Sequence, residues 1–150
     1  MDQGTVNTIN MLTASNIFID TSAFVSLWDD KDPNHIKAIR IQSKLKELKV
    51  NVYVSSDIIG ETLTVISRKL GKENAIDFLE KIQESNVQEI FIDEFLHKET
   101  RKFFRKIKSK NISFIDCSSV IVMKRSKVDV IFSFDEDFRT MGVKLLGDII

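Results

Sequence analysis

Four carboxylates stand where a fold gathers its chemistry. Asp20 directly follows the apolar run Ile17-Phe18-Ile19. Glu61 lies one turn inside a helical pattern that opens at Ser55-Ser56-Asp57. Asp116 sits in the first turn of a later helix, and Asp135 follows Val130-Ile131-Phe132-Ser133. Singly, each has an ordinary structural role. Asp20 could cap the next helix, although Thr21 and Ser22 can cap as well and would free it. Glu61 neighbours Ile58 and Val65 at helical offsets, an edge position where a partly exposed glutamate is common. Asp116 suits the helix dipole. It is also the only charge between residues 111 and 123, and burying a carboxylate without a cation or donors costs several kcal/mol. Asp135, or Asp137 two residues on, could cap a short helix.

Taken together, carboxylates brought near one another raise each other's pKa unless a cation intervenes. An all-oxygen set suits a hard divalent ion, Mg²⁺ or Mn²⁺, and not zinc or copper. Such ions meet phosphates, which points to phosphoryl chemistry. Little else in the chain competes. One cysteine, Cys117, and two distant histidines, His35 and His97, exclude a structural zinc site. Cys117 has no histidine near it in sequence and reads as a small buried side chain; the histidines read as solvated helix residues. No glycine-rich phosphate loop is present. A metal-dependent adhesion site would need an oxygen ligand at position 24, where Phe24 stands. A haloacid-dehalogenase-type phosphatase would need a second aspartate at position 22, where Ser22 stands.

The elements that must position these acids follow from periodicity. Strand-length apolar runs at Ile17–Ile19, Val50–Val54, Ile90–Ile92, Val128–Phe132 and Val143–Leu146 alternate with helical patterns. Helices are expected from Pro33 to Leu48, from Ser55 to a stop at Gly71, over Glu73–Gln83, over Glu94–Lys108 and over Ile115–Arg125, with a short Asp-rich turn or helix after Ser133. Continuously apolar strands between helices predict a parallel sheet of about five strands covered on both faces, with ligands at the carboxyl ends of the strands. The 150 residues, 43% of them apolar, fit a single domain over 16–150 after a polar extension, 1–15. No run approaches a membrane span. With 22 basic and 22 acidic residues the net charge is zero, so a polyanion partner needs a local basic patch. Lys98–Lys110 offers one, with seven cations against Glu99. Phe103 and Phe104 within it read as core, while Trp28 suits core and partner surface equally.

The ordered set Phe18-Ile19-Asp20-Thr21-Ser22, Glu61 within a helix, Ile115-Asp116 opening a helix, and Ser133-Phe134-Asp135-Glu136-Asp137-Phe138 has gaps of 41, 55 and 19 residues between its acids. It resembles the PIN domain family, and within it the VapC-type toxins of toxin–antitoxin pairs, from about Asn16 to the C-terminus. The resemblance implies an α/β fold in three layers, with a central parallel sheet of about five strands flanked by helices. It implies Mg²⁺ or Mn²⁺ held by Asp20, Glu61, Asp116 and Asp135, with Asp137 as a further ligand and Ser22 and Ser133 as supporting hydroxyls. The implied reaction is hydrolysis of RNA by a metal-activated water, leaving a 5′-phosphate and a 3′-hydroxyl. A small antitoxin protein and a homodimer belong to the same implication; a cytoplasmic setting is the one that a lone cysteine, with no disulfide possible within the chain, fits. A nuclease of RNA maturation without an antitoxin, and a non-catalytic protein-binding domain of the same fold, are the alternatives. The extension before Asn16 departs from the family's usual start at the first strand.

Overall fold

A computed structural model of the chain describes residues 16–150; the expected extension over 1–15 lies outside them. Five parallel strands form one sheet: β1 (Asn16–Ile19), β2 (Asn51–Ser55), β3 (Gln88–Ile90), β4 (Val130–Phe132) and β5 (Lys144–Leu145), in the order β3-β2-β1-β4-β5. Seven helices flank it: α1 (Thr21–Trp28), α2 (His35–Leu48), α3 (Ser56–Leu70), α4 (Lys72–Glu84), α5 (Glu94–Lys106), α6 (Phe114–Arg125) and α7 (Asp137–Thr140). This is the helix–sheet–helix layering that the alternating pattern predicts. Ile17, Phe18 and Ile131 are completely buried, as central strands covered on both faces require.

The sheet grows outward in opposite directions from β1 and β4, which pair Ile17 with Val130 and Ile19 with Phe132. That reversal opens a crevice at the carboxyl ends of these two strands. The Asp20 N–H donates to the Phe132 carbonyl at 3.0 Å, carrying the pairing one residue past the strand and fixing Asp20 at the crevice.

Several boundaries differ from expectation for local reasons. Helix α1 has no counterpart in the expected elements. Its eight residues bury Thr21, Ala23, Phe24, Val25 and Ser26, so the segment is too short and too apolar to display a period. Strand β3 lies two residues earlier than expected, because the Ile92 N–H donates to Ser56 Oγ (2.9 Å) and not to a strand neighbour. Val128 belongs to the turn after α6, its N–H bonded to the Met123 carbonyl at 2.8 Å. Helix α5 stops at Lys106, where the Ile107 N–H turns back to the Phe104 carbonyl. Phe104 is 44% exposed and is not core. The histidines are half-buried, not solvated: His35 Nδ1 lies 2.7 Å from the Ser26 carbonyl, and His97 packs on Phe114. Trp28 packs edge-on against Phe78.

Helices α1, α2 and α4 leave a gap over one sheet face, a cavity of ≈ 730 Å³ floored by Ile19, Val52 and Phe132 and walled by Phe24, Leu45 and Phe78. Lys46, Lys49 and Lys81 line it, with no carboxylate. Among the described residues no helix is long and apolar enough to cross a membrane.

Candidate active site

Asp20 is buried at the end of β1. Its Oδ2 accepts hydrogen bonds from Ser22 Oγ (2.9 Å) and Ser133 Oγ (2.7 Å). The same two hydroxyls accept from the backbone, Ser22 Oγ from the Phe134 N–H and Ser133 Oγ from the Asp135 N–H, each at 3.0 Å. The loop after β4 is thus tied to the turn after β1 through one carboxylate. Helix α1 takes no side-chain cap from Asp20, so the capping role that sequence left open is not the one adopted.

Glu61 reaches the same place from α3. That helix leaves β2 without a linker, because Ser55 is both the last strand residue and the cap, its Oγ accepting from the Ile58 N–H at 3.1 Å. Glu61, Val65 and Lys69 form a stripe at four-residue intervals that faces the crevice. Asp116 arrives on α6. Ser113 Oγ accepts from the Asp116 N–H (3.0 Å) while Asp116 Oδ2 accepts from the Ser113 N–H (2.9 Å), a reciprocal cap. Helices α3 and α6 are joined by Ser118 Oγ, which donates to Asp57 Oδ2 at 2.8 Å. The cavity where these elements meet, ≈ 330 Å³, is lined by Asp20, Glu61, Asp116 and Asp135, with Ser22 beside them. Asp137 does not line it; its N–H donates to Asp135 Oδ1 at 2.9 Å. Ser133 touches the cavity's chemistry through Asp20. Thr21, which stands in the first motif, also lines the cavity, as do Asp32, Asn34 and Lys69, which the sequence did not single out. Lys69 could have been found, since it repeats the helical offset of Glu61 and Val65.

The electrostatics are those of uncompensated acids. Burial raises the Asp20 carboxyl above its ordinary value; the Ser133 and Ser22 hydroxyls pull it back, and the charge of Glu61 raises it further. Burial also raises Glu61, opposed by the Thr21 hydroxyl and reinforced by Asp116 and Asp57. Asp116 is raised by burial first, held back by the Ser113 backbone, and raised again by Asp20 and Asp135. These carboxyls feel one another across a single cavity. Cys117 is buried beside them with its thiol pushed up by burial and by Asp116, the opposite of a thiolate nucleophile.

The donor set is all oxygen and fits a hard cation, the group that would relieve this repulsion. In the present arrangement each acid is turned to partners of its own. Among the described residues no three His, Cys, Asp or Glu side chains are grouped closely enough to hold one ion.

Known proteins agree with this architecture. The PIN domain family model matches residues 17–144. The 23S rRNA-specific endonuclease VapC20 of Mycobacterium tuberculosis is 25% identical over 126 residues, covering 84% of this chain and 94% of that protein. The crystal structure of VapC20, described as a sarcin–ricin loop cleaving toxin, superposes with a TM-score of 0.78 at 24% identity, over 85% of this chain and 95% of that one. VapBC2 of Rickettsia felis, bound to a promoter DNA fragment, matches with a TM-score of 0.58 at 15% identity, over 87% and 96% of the two chains. FitAcB of Neisseria gonorrhoeae does so with a TM-score of 0.58 at 15%, over 86% and 95%. A family match across most of the chain, on a fold shared with VapC toxins, shows that this protein belongs to the PIN domain family.

Proposed function

We propose that this chain is a divalent-metal-dependent endoribonuclease, the toxin of a VapBC-type toxin–antitoxin pair. One observation carries the reading: four carboxylates from four separate elements open onto one cavity in a PIN-domain chain. Asp20, Glu61, Asp116 and Asp135 would hold Mg²⁺ or Mn²⁺. Asp135 takes this role in preference to Asp137, which lies off the cavity. The ion would lower the pKa of a bound water and offset the charge that develops on the phosphate. Ser22 and Ser133 hold the Asp20 carboxylate in one orientation, so less of its freedom is lost when it binds. The cavity accepts a phosphodiester from solvent, and Lys69 at its edge can contact a phosphate oxygen.

Support for an RNA target comes from VapC20, an rRNA endonuclease by name. Support for an antitoxin comes from the fold shared with VapBC2. The apolar cavity roofed by α1, α2 and α4 suits one face of an amphipathic partner helix. A homodimer is part of the same reading, and the exposed Phe91 and Phe95 supply apolar surface for it. A cytoplasmic setting follows from an RNA target.

The test is cleavage of total RNA by the purified protein with Mn²⁺ and with chelator. Wild type should cleave only with metal. Glu61→Gln should lower the rate by about three orders of magnitude, the loss of several kcal/mol of transition-state stabilisation. Metal-independent cleavage, or full activity in the variant, would reject the reading.

A further inference from the structure

The chain carries no net charge, and its cavity is lined by acids that repel a polyanion. RNA must therefore be held beside the cavity before it is held in it. Between Thr100 and Ile115 there are six cations and no carboxylate. Lys102 is engaged with Glu99. Arg101, Arg105, Lys106, Lys108 and Lys110 are exposed and make no ion pair among the described residues.

Their placement is set by α5. His97, Arg101 and Phe104 stand at successive three- and four-residue offsets and share one flank of the helix. The rings of His97 and Phe104 lie 5.3 Å and 5.8 Å from that of Phe114, so this flank borders the first turn of α6. Asp116 leaves that same turn for the cavity. Lys108 and Lys110 lie on the segment that joins the two helices. Phe104 is 44% exposed and sits among the cations.

We propose that this flank is the RNA-docking surface of the enzyme: Arg101, Arg105, Lys108 and Lys110 hold backbone phosphates, Phe104 stacks on an unpaired base, and the strand is led past Phe114 to the carboxylates. The inference rests on the nuclease reading above. An acidic protein segment would use the cations but has no need of the ring, whereas every base has a face that fits it. The ring's exposure therefore favours RNA.

The test uses the full chain and a fluorescein-labelled RNA stem-loop, with binding measured by anisotropy in chelator across a salt series. Arg101→Gln/Arg105→Gln should weaken binding, and the salt slope should fall by about 2, one for each phosphate that the variant no longer neutralises. Phe104→Leu should weaken binding on the order of 5-fold or more with the slope unchanged, and Phe104→Tyr should restore it. With Mn²⁺, the double arginine variant should raise KM and leave kcat near wild type. Unchanged affinity and slope in the arginine variant, while wild type cleaves with metal, would overturn this surface and leave the nuclease reading intact. A shift from dimer to monomer in gel filtration with unchanged RNA affinity would assign the flank to a second copy instead. Unchanged RNA affinity with lost capture of an acidic peptide would assign it to a protein partner. Wild type that binds RNA but does not cleave it with metal would fail the nuclease reading. A wild type that binds no RNA would overturn both.

Discussion

An apolar cavity of ≈ 730 Å³ and an acid-lined one of ≈ 330 Å³ lie one residue apart at the end of β1. Ile19 floors the first and Asp20 opens into the second, because successive strand side chains point to opposite sides. The larger cavity is walled by aromatic and aliphatic side chains that also hold the fold together, Phe78 stacking edge-on with Phe24 at 5.1 Å and Trp28 at 5.3 Å. The smaller gathers like charges that cost folding free energy. Size therefore does not mark the chemistry here. The region whose like charges oppose folding is the one that the proposed function would explain.

That contrast can be broken by substitutions on either side. Phe78→Ala removes a completely buried ring and should cost about 3–5 kcal/mol, read as a lower urea midpoint with an unchanged slope. The fraction that remains folded should cleave RNA at the wild-type rate. Loss of activity in folded Phe78→Ala would show that the two regions are coupled.

The acid-lined side has its own pH signature. Asp20, Glu61 and Asp116 all have pKa values raised by the fold. A raised pKa means that the native state binds its proton more tightly than the unfolded chain does. The resulting stability is complete below the ordinary carboxylate range, about pH 4, and is lost as pH rises through the raised values. The exposed Arg139–Asp148 pair acts in the opposite sense and weakly. Melting in chelator should show the protein less stable at neutral than at mildly acidic pH, and Mn²⁺ should reverse that trend by binding the ionised forms. A metal-free protein that gains stability as pH rises would contradict this assignment.

A smaller effect separates fold from chemistry within the site itself. Ser113→Ala removes the cap of α6 and should cost about 1 kcal/mol, equally with Mn²⁺ and with chelator. A loss seen only with metal would make Ser113 part of the metal site.

Sequence made the strands and acids legible to different depths. Asp20 and Asp135 were readable because short runs of apolar residues, buried on both faces, end just before them. Asp116 was readable through its isolation in an uncharged stretch, though its reciprocal bond with Ser113 was not. Helix α1 left no period to read. The link from Asp57 to Ser118 spans 61 residues and exists only because α3 packs on α6. The exposure of Phe104 depends on which flank of α5 meets α6, and an apolar count cannot tell that from core. Asp137 matched a motif in sequence, but the turn of α7 takes its side chain off the cavity.

On the proposed function, Asp20 is kept for a cation and not for the fold. Asp20→Asn preserves shape and can still accept from Ser22 and Ser133 while removing a buried charge. The decisive measurement is thermal melting of wild type and Asp20→Asn, each with Mn²⁺ and with chelator. In chelator the variant should melt at or above wild type. With Mn²⁺ the wild type should gain stability by mass action and the variant should gain far less. A variant that melts well below wild type in chelator, or that responds to Mn²⁺ as wild type does, would contradict the account.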